Sequence, residues 1–398
     1  MYSSSIRTVL IVVLTMMLTS AVDAKPLKVF ILCGQSNMEG HAQTRTFPAI
    51  AHDPKTAAMY KEMVDNAGEP IVCENVWISY AFGDFYGNPK DPKAGKLTAG
   101  WGSQHHIGTG KIGPEFTFGI YMSKMLGEPI LIIKNAWGGK SLMVDFRPPS
   151  GGDLPDTVNE KAKERAGNYY KLMMEHVKSV LADPKRVCPA YDPEEGYELA
   201  GFVWFQGFND LVGPYPRMEP EQAGASIKDY SEYSRLLACF IRDVRKDLSA
   251  PNMPFVTGVL GVGGPNTSEG GIAFRKAMAA PAELDEFKGN VVNVFTDKYW
   301  PTELDAVLAK EAPFKSERNR RGKELSAKAL ERAEHIKESE KIKAEIRAKI
   351  ENVLTEDELF LLDNGVSNQG YHYYGSAKFF GQIGRAFAEA LVEKPAPK

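Results

Sequence analysis

The chain has 398 residues, 43% hydrophobic, 10% aromatic and 25% charged, a composition that can bury a sizeable core and rules out general disorder. Its 48 Lys and Arg nearly balance 51 Asp and Glu for a net charge of -3, which lacks the basic footprint of a nucleic-acid or anionic-membrane binder. The expected partner is small or neutral, and at about 150 residues per domain the length fits either two to three domains or one α/β domain with insertions.

The first 24 residues carry Arg7, an apolar run from Val9 to Leu18, and small residues ending at Val22 and Ala24. This is the pattern of a cleaved secretory signal, with a mature chain from about residue 25 that is secreted or periplasmic. The run is shorter than the roughly 20 residues a transmembrane anchor needs, so no membrane partner is expected after cleavage. Four cysteines, Cys33, Cys73, Cys188 and Cys239, are too sparse for a disulfide scaffold. Cys33 and Cys239 sit in apolar patterns and read as buried thiols, whereas a Cys73–Cys188 bridge stays open. No clustered His/Cys spacing suggests a metal site.

Further along, short apolar runs at 28–33, 129–133, 201–205, 254–259 and 291–295 alternate with helical patterns at 115–126, 157–181, 227–248, 271–280 and 375–392. Strands buried on both faces look like this, and the alternation predicts an α/β fold with a central parallel sheet of about five strands between helices. Chemistry in such folds sits at the carboxyl ends of the strands. Loops at 42–110 and 140–156 are expected to crown that end. From 305 to 353 the chain turns highly charged, with Ile336, Ile342, Ile346 and Ile350 as a thin apolar stripe. The stripe predicts a charged helical insertion packed on one side, with a surface, lid or self-association role.

Three strand ends carry candidate chemistry. GQSNM at 34–38 places Ser36 at a strand-to-helix turn, where a hydroxyl can be exposed beside its own N–H. NAWGGKS at 135–141 brings Gly138 and Gly139, and WFQGFND at 204–210 brings Gln206, Asn209 and Asp210. Near the C-terminus SNQGYHYYGS at 367–376 places His372 in a loop before the last helix, where it can act as a general base. Of the other histidines, His41, His105 and His106 fall in the crown loops, and His52, His176 and His335 read as surface residues.

In this order the motifs resemble the SGNH hydrolase superfamily, and within it carbohydrate esterase family six and the sialate O-acetylesterase-like group. The resemblance covers most of residues 27–392, with the charged insert outside it. It implies a three-layer sandwich of SGNH or flavodoxin-like type. It also implies a nucleophile at Ser36, a base at His372, and an oxyanion hole of Ser36 N–H, Gly138 or Gly139 N–H and Asn209. Gln35, Trp137, Gln206 and Tyr371 would contact substrate, with Trp101, Trp204 and Tyr373 as further stacking faces. No cofactor or metal is implied. Two acids that such sites usually carry are replaced here by Gln369 and Phe208, so the residue orienting His372 is left among Asp210, Asp363, Asp297 and a backbone carbonyl. The expected activity is a secreted serine esterase releasing acetyl groups from a carbohydrate of acetylxylan or sialate type. A sugar-binding protein with a decayed triad and an SGNH-type lipase or thioesterase are the alternatives.

Overall fold

The computed structural model describes residues 25–84, 87–104, 110–154, 156, 158–217, 227–328 and 330–393. The proposed signal segment and the pair His105 and His106 lie outside them. In chain order the strands are β1 (Leu27–Gly34), β2 (Ala42–Gln43), β3 (Cys73–Ala81), β4 (Lys93–Leu97), β5 (Lys111–Ile112), β6 (Ile130–Ala136), β7 (Tyr197–Phe205), β8 (Phe255–Val259) and β9 (Val291–Phe295). Seven of them form one sheet in the order β4-β3-β6-β1-β7-β8-β9, and β2 pairs with β5 apart from it. Every pairing in the large sheet is parallel except β3 with β4.

The strand count exceeds the expected five because β3 and β4 lie inside the stretch read as a crown loop. β3 opens with Glu74 and Asn75 and breaks register between Cys73 and Trp77, so it lacks a clean apolar run. β4 (KAGKL) is the sheet edge, and its lysines suit an edge that must resist pairing with another chain.

The interior strands separate two helical layers, as a period of two requires. Phe30 and Phe205 point to the layer of helices Glu115–Leu126 and Ala377–Val392, meeting Phe118 and Phe387 at ring-centroid distances of 5.5 Å each. Cys33 and Trp204 point the other way, to Met173 of helix Asn168–Ala182 and Phe240 of helix Ser231–Asp247. The sheet interior is mostly apolar: Val29, Ile31, Leu32, Ile132, Val203 and Val256 have no exposed area. The result is a three-layer α/β sandwich.

From β1 the chain builds outward through β3 and β6 on one side, then crosses to β7, β8 and β9 on the other. The winding reverses at β1, and the crevice outside its carboxyl end is the place where such sheets bind ligands. β1 ends there on Gly34, whose Cβ, if present, would lie 2.1 Å from the Phe205 carbonyl oxygen. Only glycine lets the strand turn into Ser36 so close to β7.

The charged segment forms helices Thr302–Ser326 and Arg332–Glu351, paired as a hairpin. Val307, Leu325, Ile342, Ile346, Ile350 and Leu354 make a small core of its own, while Ile336 is exposed. All four cysteines are free and buried, so the Cys73–Cys188 bridge left open by the sequence is not formed. Burial pushes the Cys73 thiol up to about 12.

Candidate active site

Ser36 opens a single helical turn, Ser36–Glu39, directly after β1. Its neighbour Gln35 is 1% exposed and acts as a bracket between two strand ends. Gln35 Oε1 accepts from Gln206 Nε2 (3.1 Å), Gly207 N (3.3 Å) and Asn209 N (3.2 Å), and Gln35 Nε2 donates to Asn209 Oδ1 (2.9 Å). With its oxygen held by Gln35, the Asn209 amide has its Nδ2 turned away from that contact. Asn209 also lines a cleft of about 280 Å³ together with Gly139, Ser141, Asp145, Arg165 and Tyr215.

His372 lies in a tight 3-10 turn, Gly370–Gly375, in which Tyr373 (φ 52°) and Tyr374 (φ 58°) adopt left-handed backbone. Such strain persists only where the surroundings overdetermine it. Here they do: the Tyr373 ring stacks on Phe379 at 3.7 Å and its hydroxyl accepts from Gly261 N at 2.9 Å, while Tyr374 Oη donates to Asp305 Oδ1 at 2.6 Å. The turn is tied to the Ser36 turn twice. Asn37 Nδ2 donates to the Tyr371 carbonyl at 3.2 Å, and the His41 ring stacks on the His372 ring at 3.9 Å and 3°.

The orienting acid expected at Asp210 is elsewhere. Asp210 is fully buried, and its two oxygens accept from Leu142 N (2.8 Å), Met143 N (3.0 Å), Gln206 Nε2 (2.5 Å) and Tyr215 Oη (2.8 Å). It clamps the loop after β6. Burial pushes its carboxyl up, against the pull of these hydrogen bonds. Asp363 is held by Arg347 and Asp297 by Arg275. The group on His372 Nδ1 is instead the amide oxygen of Asn368, at 3.0 Å. Phe208, standing where an acid is usual, places its ring 5.7 Å from that of Tyr371.

A family model described as carbohydrate esterase, sialic acid-specific acetylesterase, matches residues 26–296. The chain belongs to this esterase family. It is therefore a carboxylic ester hydrolase by family, of the carbohydrate esterase kind, although the matched span ends before His372 and the charged hairpin. No curated protein matches significantly. Among solved structures, one of an Arabidopsis thaliana protein aligns at 16% identity and TM-score 0.39, over 68% of this chain and 86% of that one. A carbohydrate acetylesterase from Xanthomonas citri aligns at 13% identity and TM-score 0.38, over 67% of this chain and 49% of that one. Likeness at this level adds no argument about function.

Against the esterase family's implied site, several side chains read as substrate contacts are internal. Gln35 and Gln206 are 1% exposed and bonded to each other, and Trp137, 2% exposed, packs between Phe146 and Tyr169. Trp204 and Tyr373 are core residues, and Trp101 donates its Nε1 to the Lys96 carbonyl. Only Tyr371, 44% exposed, presents an open face. Gly138 N–H is donated to Glu39 Oε1 at 2.9 Å, while Gly139, at a left-handed φ of 74°, lines the cleft.

Sequence reasoning passed over Asn368, Glu39 and Lys134. Glu39 is 1% exposed, and its carbonyl is braced from below by Lys134 Nζ at 2.8 Å. That buried ammonium also meets Glu115 Oε2 at 2.7 Å and the Trp101 carbonyl at 2.7 Å. Burial pulls the Lys134 amine down, with the Glu115 charge opposing. The available signals were Glu39 directly after GQSNM and a lysine ending an otherwise apolar strand. His176, read as a surface residue, is buried, and burial lowers its pKa to about 4. Among the described residues no group of three His, Cys, Asp or Glu could hold a metal ion.

Proposed function

We propose that this esterase is an exported serine enzyme that removes O-acetyl groups from a carbohydrate through an acetyl-enzyme. The observation that carries the reading is the double tie, Asn37 to Tyr371 and His41 on His372, which joins the serine turn and the histidine loop at the carboxyl end of β1. Ser36 Oγ attacks the ester carbonyl and its proton passes to His372 Nε2. Asn368 holds Nδ1–H, the amide playing the part it plays in Cys–His–Asn hydrolases. Ser36 N–H, Gly139 N–H and Asn209 Nδ2 receive the oxyanion. His372 then returns the proton to the departing sugar hydroxyl, and water releases acetate by the reverse path.

The sugar would occupy the polar cleft beside Asn209, where Ser141, Asn159 and the Asp145–Arg165 pair offer donors and acceptors for hydroxyl groups. Residues 1–24 would direct export.

The test is hydrolysis of an aryl acetate, then of acetylated xylan and O-acetylated sialic acid, by the chain from residue 25. Ser36→Ala and His372→Ala serve as paired variants. Turnover lost in both folded variants supports the reading. A second reading, sugar binding without turnover, is favoured by the neutral Asn368 in place of an acid. It predicts an inert wild type whose sugar affinity survives Ser36→Ala.

A further inference from the structure

A serine hydrolase creates an imidazolium when its histidine takes the serine proton, and the usual counter-charge is a carboxylate on Nδ1. Here Nδ1 meets a neutral amide. A carboxylate is nevertheless present, three residues after Ser36. Glu39 is 1% exposed; its Oε1 accepts the Gly138 N–H at 2.9 Å and its Oε2 lies 3.5 Å from His41 Nε2. The His41 ring, 7% exposed, lies parallel to the His372 ring at 3.9 Å. Gly138, Glu39, His41 and His372 thus form one continuous arrangement. One end holds the loop of Gly138 and Gly139, and the other is pressed on the face of the base.

We propose that Glu39 and His41 are a positioning pair for His372, in which His41 fixes the tilt of the base by stacking and Glu39 supplies the negative charge that the triad lacks. The inference rests on the reading of Ser36 and His372 as nucleophile and base. His41 must then be neutral, with its Nε2–H toward Glu39. Two imidazolium rings at this separation would repel, so a protonated His41 would oppose the proton transfer that the reaction needs. The Glu39 carboxylate is near three ammonium groups, those of Lys111, Lys134 and Lys140, each of which it acts on. Tyr80 is the phenol on its other side, and Tyr371 is the neighbouring titratable ring on His372. Glu39 also explains why Gly138 does not serve the oxyanion. Its N–H is spent on the carboxylate, and the following residue, Gly139, lines the cleft.

The variant Glu39→Gln keeps the size and the Gly138 acceptor and removes only the charge. NMR titration of ¹⁵N-labelled imidazoles on the whole chain, with His372→Gln to assign the resonance, should show the His372 midpoint falling by about one pH unit in Glu39→Gln. Loss of a nearby negative charge destabilises the imidazolium, so the acid limb of kcat should move to lower pH by the same amount. In parallel kcat should drop about 10-fold or more with KM little changed. Glu39→Asp should restore part of the loss. His41→Phe keeps a flat ring, breaks the link to Glu39 and should shift the midpoint in the same direction. It also carries the test if Glu39→Gln does not fold. An unchanged His372 midpoint in both variants would overturn the proposal and reduce Glu39 to a prop for Gly138. Because the midpoint is read without turnover, a wild type with no esterase activity would count against the proposed function and leave the pair decided separately.

Discussion

His176 and His372 each present Nδ1 to an asparagine amide oxygen, at 2.8 Å from Asn135 and 3.0 Å from Asn368. By hydrogen bonds alone His176 makes a complete Ser–His–Asn set, since Ser79 Oγ lies 2.9 Å from its Nε2. Its surroundings disqualify it. Ser79, Asn135 and His176 are all buried under helix Asn168–Ala182, and burial, assisted by Arg186, lowers the His176 pKa to about 4. An imidazole that resists protonation this strongly is a poor proton acceptor, and no ester can reach Ser79. His372 is half-buried beside the turn that carries Ser36, at the carboxyl end of the sheet. Placement and access, rather than completeness of the hydrogen-bond chain, separate a base from a core polar cluster.

The comparison breaks if the two histidines are interchangeable in function. His372→Ala should lower kcat by about 10⁴-fold with the fold intact, whereas His176→Gln should leave kcat within a few-fold and cost about 3 kcal/mol of stability at neutral pH. Steady-state kinetics and urea denaturation of both proteins would check this, and the reverse pattern would move the active site to the other face of the sheet. The amide partners sharpen it further. Asn368→Ala should reduce kcat about 10- to 100-fold by freeing the ring, and Asn368→Asp should move the acid limb of kcat upward, because a carboxylate on Nδ1 favours the imidazolium.

The pH dependence of stability separates the two sites again. His176 has a folded value near 4 against about 6.5 when unfolded, so the unfolded chain takes up its proton first as the pH falls. Its contribution is fully present above about pH 6.5, declines through the window down to about pH 4 and is gone below it. That amounts to about 3 kcal/mol. Urea midpoints at pH 7.5 and 4.5 should show the advantage of wild type over His176→Gln shrinking at the lower pH. Other titrating groups are common to both proteins and cancel in the difference.

What the sequence made legible follows from how local each signal is. β1, β6, β7, β8 and β9 are apolar runs that read as buried strands by themselves, and the helix at Glu115–Leu126 keeps its register from Pro114 to Gly127. β3 and β4 were lost in a loop because one starts polar with a register break and the other is a lysine-bearing edge. Motifs at strand ends singled out Ser36 and Asn209 as candidates, and the glycine-bearing loop before the last helix singled out His372, since strand-to-helix turns and glycines are local features. Partnerships across the chain were not readable. Asp210 lies next to Asn209 in sequence, yet its oxygens turn to Leu142 and Met143, 68 and 67 residues away. Asn368 meets His372 across a turn closed by His372 N on the Gln369 carbonyl at 2.9 Å, and the left-handed backbone of Tyr373 and Tyr374 that follows is foretold by nothing in their residue type. His176 reads as a surface residue from its helical context and Glu39 carries no signal of its own, and only the assembled layers bury them.

The smallest expected effect tests whether the cleft, rather than the triad, sets the choice of alcohol. Arg165 is half exposed and is held by a 3.1 Å contact of its Nε to Asp145 Oδ1, while Asp145 also accepts from Ser141 N at 2.9 Å. Asp145 is buried but keeps Ser141 N and Oγ as donors, and Arg165 is half screened by water, so Arg165→Ala should lower stability by only about 1 kcal/mol. If the cleft holds the sugar, the same variant should raise KM for an acetylated sugar about 3- to 10-fold at constant kcat, the signature of a contact made equally in ground and transition states. An aryl acetate has no sugar to place there, and its KM should not move. Equal loss on both substrates would put Arg165 in support of the 139–145 loop instead. A rate maximum at acyl chains longer than acetyl would instead favour a lipase or thioesterase, with Met143, Val144 and Val158 of the same cleft as the surface on which a longer chain is buried.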